Sequence, residues 1–220
     1  MEVALIHATP LWIVILAIRK CYQSEERSDT YRNSNVLGEV DTALLERIIK
    51  SGHHSVLEHV SFTFDVDGIS RGCLQELARH RIMSLSVKST RYTLGKLKHI
   101  DVPFTEYGAD SNAYTVGTGN EFVDENSLLQ LEKVRIGAIQ GIPNDVLKLM
   151  LPESFKTSLV MTINVRSLRN LLSLRLDKRA HWEIQQLARQ LVDQIPETHK
   201  LLFNDVIVHH TTEEEEETHE

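Results

Sequence analysis

The sequence lacks a glycine-rich phosphate loop, an HExxH pair, a CxxC spacing and any apolar run longer than eight residues. Each absence excludes something. Without the loop there is no Walker-type cradle for phosphates, and without HExxH the adjacent His53 and His54 read as capping or surface groups, so no metal is expected. The only two cysteines, Cys21 and Cys73, have no zinc spacing and suggest no disulfide framework, which fits a reducing compartment and points to the cytoplasm. Both thiols read as buried structural groups. The longest apolar run, residues 11–18, is far short of the roughly 20 residues a bilayer requires, and it follows Glu2 with no Lys or Arg, a poor secretory signal. No membrane partner is therefore expected. Neither an internal repeat nor a Gly/Ser/Pro-rich linker divides the chain, so residues 1–208 are expected to form one domain.

What is present is ordinary in proportion: 41% hydrophobic and 25% charged residues suffice for a sizeable core and give no sign of wholesale disorder. The net charge of -7 is less informative than it looks. Residues 209–220 hold six glutamates and no Lys or Arg, which leaves -1 for the rest of the chain. That acidic stretch reads as a solvated, disordered tail.

Periodicity gives the elements. Thr9 and Pro10 read as an N-cap and first helical residue for a buried helix ending near Arg19 and Lys20. Residues 41–50 have helical spacing with a stop at Ser51-Gly52, and "HHSVLEH" begins a short element after them. Val60, Phe62, Phe64 and Val66 alternate with polar residues as a strand closed by Asp67-Gly68. The spacing of Ile69, Cys73 and Leu77 with Leu74, Ala78 and Ile82 predicts a helix over 70–83. Residues 105–127, rich in Gly, Ser, Thr and Asn, read as a long surface loop. Helices are expected from about 128 to 140 and after Pro143, an extended segment at 158–163, then two amphipathic helices in "SLRNLLSLRL" and "HWEIQQLARQLVDQI". The inventory is α+β, with several helices around a small, mainly antiparallel sheet.

One stretch concentrates charge. "ARHRIMSLSVKSTRY", residues 78–92, places Arg79, His80, Arg81 and Arg91 among hydroxyl residues too closely spaced for one helical face. A chain that leaves the helix near Ser84 and curls could surround an anion, with arginine forks, hydroxyls and backbone N–H groups as donors. Charge alone leaves two readings open: an anion site, or a solvated basic face partly explained by the helix C-terminal dipole.

The order of residues resembles the RHR, seven residues, Ser signature of the flavin-dependent thymidylate synthases, here Arg79, His80, Arg81 and Ser89, continuing into Arg91-Tyr92. "NVRSLRNLLSLRLDKRAHWEIQ", residues 164–185, and "GHHSVLEH" are similar to two further blocks of that family, in the family's order. The resemblance implies methylation of dUMP at C5, with 5,10-methylenetetrahydrofolate as carbon donor and FAD reduced by NADPH as hydride source. It implies a homotetramer whose active sites take residues from several chains.

By the same resemblance Arg175 would stabilise negative charge on the pyrimidine, and His53 would lie near the flavin where folate and NADPH approach. Glu76, Arg79, Ser89, Arg91, Lys148 and Arg175 would hold dUMP. Ser55, Arg79, His80, Arg81, Asn164, Arg166 and Asn170 would line the flavin site, with Glu58 bracing the nucleotide there. Three positions depart from the family pattern: Ser86-Val87 replaces the usual Asn-Glu, Glu76 a glutamine, and Lys148 an arginine whose fork lysine cannot reproduce. A different class of reading is a non-catalytic nucleotide- or RNA-binding module, or a flavin-binding relative without synthase activity. Aromatics are only 6% of the chain and are not interleaved with the bases, so nucleic acid is not expected as a partner.

Overall fold

The computed structural model describes residues 1–106 and 108–207, so the acidic segment from 209 lies outside the described residues. In chain order they form β1 (Glu2–Ala8), α1 (Trp12–Cys21), α2 (Glu39–Lys50), β2 (Ser61–Ser70), α3 (Arg71–Ala78), β3 (Met83–Val87), α4 (Thr90–Thr93), α5 (Glu121–Ile139), α6 (Asn144–Leu147), β4 (Lys156–Asn164), α7 (Val165–Arg175) and α8 (Trp182–Asp193). Short 3-10 segments lie between or after them, those at His54–His59, Leu94–His99 and Glu197–Leu202 having six residues each. The strands make one antiparallel sheet in the order β1-β2-β4-β3, which is the expected α+β class.

The chain forms two compact units. One comprises Glu2–Asp65, Arg79–Leu85 and the described residues from Val160 onward. Its core is built on the alternation seen in β2, where Phe62 and Phe64 are fully buried. Phe62 stacks on Phe64 at 5.9 Å and meets the His199 ring edge-on at 5.5 Å. Burying each such ring contributes about 1.5–3 kcal/mol. His199 Nε2 donates to the Thr9 carbonyl at 3.0 Å and Nδ1 lies 3.1 Å from the Thr198 hydroxyl. Burial holds the imidazole pKa below its usual value, only partly offset by the Thr9 bond. Two buried arginines tie helices down: Arg19 on α1 pairs with Asp41 on α2, and Arg169 on α7 with Asp205.

The other unit comprises Met1, Val66–Ala78 and Ser86–Leu159. Its core gathers Leu94, Leu97, Phe104, Leu131, Val134, Leu147 and Phe155. Helix α5 lies so close to Leu147 that a Cβ at Gly137 would come within 2.5 Å of the leucine side chain. Glu132 holds Arg135 at 2.8 Å and accepts the Phe104 N–H at 3.0 Å, which keeps its carboxyl below the usual range.

Several expectations need correction. β1 was not foreseen. Thr9 does not cap α1: its hydroxyl lies 3.1 Å from that of Ser61 and accepts the Ser61 N–H, while the helix starts beyond Leu11. β2 continues through Asp67-Gly68 to Ser70, because Gly68 takes a φ of +76° within the strand. The predicted 70–83 helix stops at Ala78 and yields to β3. The segment 105–127 is loop only in part, since Asn120 caps α5 by accepting the Val123 N–H at 3.2 Å. Cys73 is buried, but Cys21 is exposed. No helix among the described residues is long and apolar enough to cross a membrane.

Candidate functional site

Helix α7 has two faces. Val165, Leu168, Leu171 and Leu172 are buried in the core, which turns Arg166, Asn170 and Leu174 outward at four-residue spacing. Asn164 fixes the helix start by accepting the Ser167 N–H at 2.8 Å. Facing that outward row is the turn after α3, where the chain reverses through Ile82 at a φ of +62°. A β-branched residue at positive φ is strained by about 1–3 kcal/mol, and such strain concentrates at working sites. The turn carries Arg79, His80 and Arg81.

These two elements border an open cavity of about 770 Å³. Arg79, His80, Arg81, Arg166, Asn170 and Arg175 line it, together with Ile82, Ser167 and Leu174. No carboxylate is among the lining residues. Glu58, on the 3-10 turn His54–His59, reaches Arg166 at 2.6 Å, and Arg175 Nε lies 2.8 Å from His80 Nε2. Four guanidinium groups with an amide and a hydroxyl suit the phosphates and ring carbonyls of a nucleotide. Ile82, 70% exposed, and Leu174, 55% exposed, add an apolar edge on which a planar ring can lie. The donor set therefore fits a flavin nucleotide better than a metal, and no cluster of potential metal ligands occurs among the described residues.

Six of the residues singled out in the sequence thus converge: Arg79, His80, Arg81, Arg166, Asn170 and Arg175. Others lie apart. His53 lines a second cavity, of about 590 Å³, with Arg19, Arg27 and Arg47. Ser55 lines a third with Ile13, Leu16 and Cys21. Neither cysteine is in the arginine-lined cavity, so no thiol is placed to add to a bound pyrimidine there.

In the other compact unit, Arg91 on α4 and Lys148 after α6 converge on Asp145, at 2.9 Å and 3.9 Å. Asn144 donates to the Arg91 carbonyl at 2.6 Å. Ser89 precedes α4 and accepts from Thr93 through its backbone oxygen, which leaves its half-buried hydroxyl off the helix cap. Glu76 is on α3 and half-buried. Sequence reasoning missed Ile82, Ser167 and Leu174 in the cavity and Asp145 between the two bases. Only the Asx-like start at Asn144-Asp145 carried a local signal; a strained isoleucine carries none.

A sequence model of the family described as "Thymidylate synthase complementing protein" matches residues 4–199. The chain is 48% identical over 205 residues to the flavin-dependent thymidylate synthase of Wolinella succinogenes, covering 92% of this chain and 97% of that protein. It is 46% identical over 206 residues to the enzyme of the same name from Campylobacter jejuni, at 92% and 96% coverage. Its fold matches a crystal structure of thymidylate synthase X from Helicobacter pylori with FAD and dUMP, with a TM-score of 0.85 and 43% identity over 94% of this chain and 99% of that one. With a matched model over most of the chain and relatives this similar over nearly their whole length, the protein belongs to the flavin-dependent thymidylate synthase family.

Proposed function

We propose that the chain converts dUMP to dTMP, taking the carbon from 5,10-methylenetetrahydrofolate and reducing equivalents from NADPH through FAD, in the cytoplasm and as a homotetramer. The observation that carries this reading is the convergence of the RHR turn and the outer face of α7 on one cavity rich in guanidinium groups. The net change replaces the C5 hydrogen of uracil with methyl: dUMP, methylenetetrahydrofolate, NADPH and a proton give dTMP, tetrahydrofolate and NADP+. When bound, FAD reduced by NADPH supplies the hydride.

The residues do the rest by binding and electrostatics. Arg166, Asn170, Arg79 and Arg81 hold the flavin nucleotide, with Ser55, Asn164 and His80 as further contacts and Glu58 fixing the Arg166 fork. Binding there must exchange the Arg166–Glu58 pair for, or share it with, a ligand oxygen. Arg91 and Lys148 hold the dUMP phosphate, helped by Ser89 and Glu76 around the sugar and base. Uracil C5 is a weak nucleophile, and negative charge placed on the ring strengthens it. Arg175 stabilises that charge with a permanent cation in a partly desolvated position. His53, beside a basic cavity, stands where the folate and nicotinamide partners approach. The residues near Arg91 and those near Arg175 are each contributions to active sites assembled by several copies of the chain.

The test is tritium release from C5-labelled dUMP by purified protein with FAD, NADPH and methylenetetrahydrofolate, against FAD-stripped protein, with dTMP confirmed as product. Arg175→Ala should retain flavin absorbance and lose at least about 100-fold in turnover, the scale of removing one transition-state donor. Flavin-independent release, or an Arg175→Ala enzyme as fast as wild type, would sink the assignment.

A further inference from the structure

The contact between Arg175 and His80 allows only one polarity. A guanidinium has no acceptor atom and does not deprotonate in proteins, so Arg175 Nε donates and His80 Nε2 accepts across 2.8 Å. An imidazole nitrogen accepts only when it carries no proton. His80 is therefore neutral with its hydrogen on Nδ1. The opposite tautomer is forced on His199, whose Nε2 must donate to the Thr9 carbonyl.

The surroundings favour that neutral state. His80 is only 9% exposed, and burial disfavours the charged imidazolium. Arg79 and Arg81 flank it on the turn, and Arg166 and Arg175 face it from α7. Glu58, from the 3-10 turn, is engaged by Arg166 at 2.6 Å. Another positive charge among these guanidinium groups is unfavourable. The contact also involves Nε, the nitrogen closest to the aliphatic stem, so it fixes the rotation of the whole guanidinium plane. A carboxylate in the position of His80 would orient Arg175 equally well but would offset its charge. A neutral acceptor aims the cation without itself offsetting the charge.

We propose that His80 is the positioning residue for Arg175: as a neutral Nδ1–H imidazole it sets the guanidinium plane for the pyrimidine, and its protonation releases Arg175 and switches the reaction off at acid pH. This rests on the role given to Arg175 above and adds to the RHR turn a function separate from lining the flavin site.

Two variants and one spectrum test it, all on flavin-saturated protein. The side chain in His80→Gln presents an amide oxygen near the place of Nε2 and does not titrate. His80→Gln should turn over several-fold faster than His80→Phe and should lose the acid limb, on which the wild-type rate falls about tenfold per pH unit. His80→Phe offers no acceptor and should lower kcat at least about tenfold while KM for dUMP stays within about threefold. Long-range 1H–15N spectra of histidine-labelled protein, with the His80 signal identified by its loss in His80→Gln, should show the Nδ1–H tautomer at neutral pH. A purely structural His80 would leave the acid limb in place in every folded variant. An Nε2–H tautomer, an imidazolium at neutral pH, or a His80→Gln enzyme with an unchanged acid limb would overturn the proposal, and the last two readouts stand even where His80→Phe loses flavin. Absence of turnover in the wild type would refute the proposed reaction instead, and the tautomer would still decide whether His80 orients Arg175.

Discussion

Asp41→Ala is expected to be strongly destabilising, and the cost can be worked from its surroundings. The carboxylate is fully buried and accepts from Arg19 Nε at 3.0 Å, Arg19 Nη2 at 2.6 Å, Ser28 Oγ at 2.6 Å and Thr30 N at 3.2 Å. Arg19 is itself only 6% exposed, and its Nη2 also donates to the Arg27 carbonyl at 3.2 Å. Truncating Asp41 leaves a guanidinium charge buried without its counter-ion, a change that costs about 3–5 kcal/mol. For a chain of this size about 2–4 °C accompanies each kcal/mol, so Tm should fall by roughly 6–20 °C. The same pair holds residues 27–30, and Arg19 and Arg27 help to line the cavity that His53 borders. A double replacement, Arg19→Met with Asp41→Leu, removes both charges and should recover most of the loss. Urea and thermal unfolding of wild type, single and double variants measure all three values. A loss below about 1 kcal/mol for Asp41→Ala, or a double variant less stable than the single, would refute this account of the pair.

Other consequences are as direct. Lys148→Arg restores a planar fork beside Arg91 and should lower KM for dUMP about two- to tenfold in steady-state assays, with kcat unchanged. His199 has a folded-state pKa below its unfolded value near 6.5, so the unfolded chain takes up the extra proton; the contribution is complete above that range and drains away as pH falls through it, which unfolding curves from about pH 7.5 down to 5 should show and a His199→Gln variant should flatten. Ile82→Gly removes backbone strain but adds unfolded-state freedom, so stability should stay within about 1 kcal/mol of wild type. The same change strips the apolar edge of the arginine-lined cavity, and flavin titration should show affinity weakened about five- to tenfold.

How much of this was legible in the sequence depends on how local each signal was. β2 could be read because Phe62 and Phe64 alternate with polar residues and are buried. β1 could not, because only Val3 in it is buried and no alternation results. The helix over-extended to residue 83 followed the four-residue spacing from Leu74 and Ala78 to Ile82. That isoleucine is 70% exposed and sits beyond the helix at positive φ, a conformation its own sequence disfavours and only the surrounding fold imposes. The start of α5 was hidden for a different reason: its first inward residue is Ser127, which accepts a hydrogen bond from Ser154 at 2.8 Å, so a polar residue occupies a core position.

The candidate site was legible through motif order and not through charge, because arginine serves opposite ends in this fold. Arg19, Arg135 and Arg169 engage Asp41, Glu132 and Asp205, and these pairs hold helices and turns in place. Arg169 and Arg175 lie on the same helix within one short sequence block, and composition does not tell them apart. What separates them is direction and partner. Arg169 is buried and reaches Asp205, an exposed carboxylate held ionised by the guanidinium beside it. Arg175 turns to the cavity, where an imidazole accepts its Nε. Asp205 offsets the charge of the buried Arg169, whereas the imidazole orients Arg175 without itself offsetting its charge. The distinction depends on residues 95 positions apart in sequence, His80 and Arg175. It becomes visible only when the turn after α3 and the outer face of α7 are seen together.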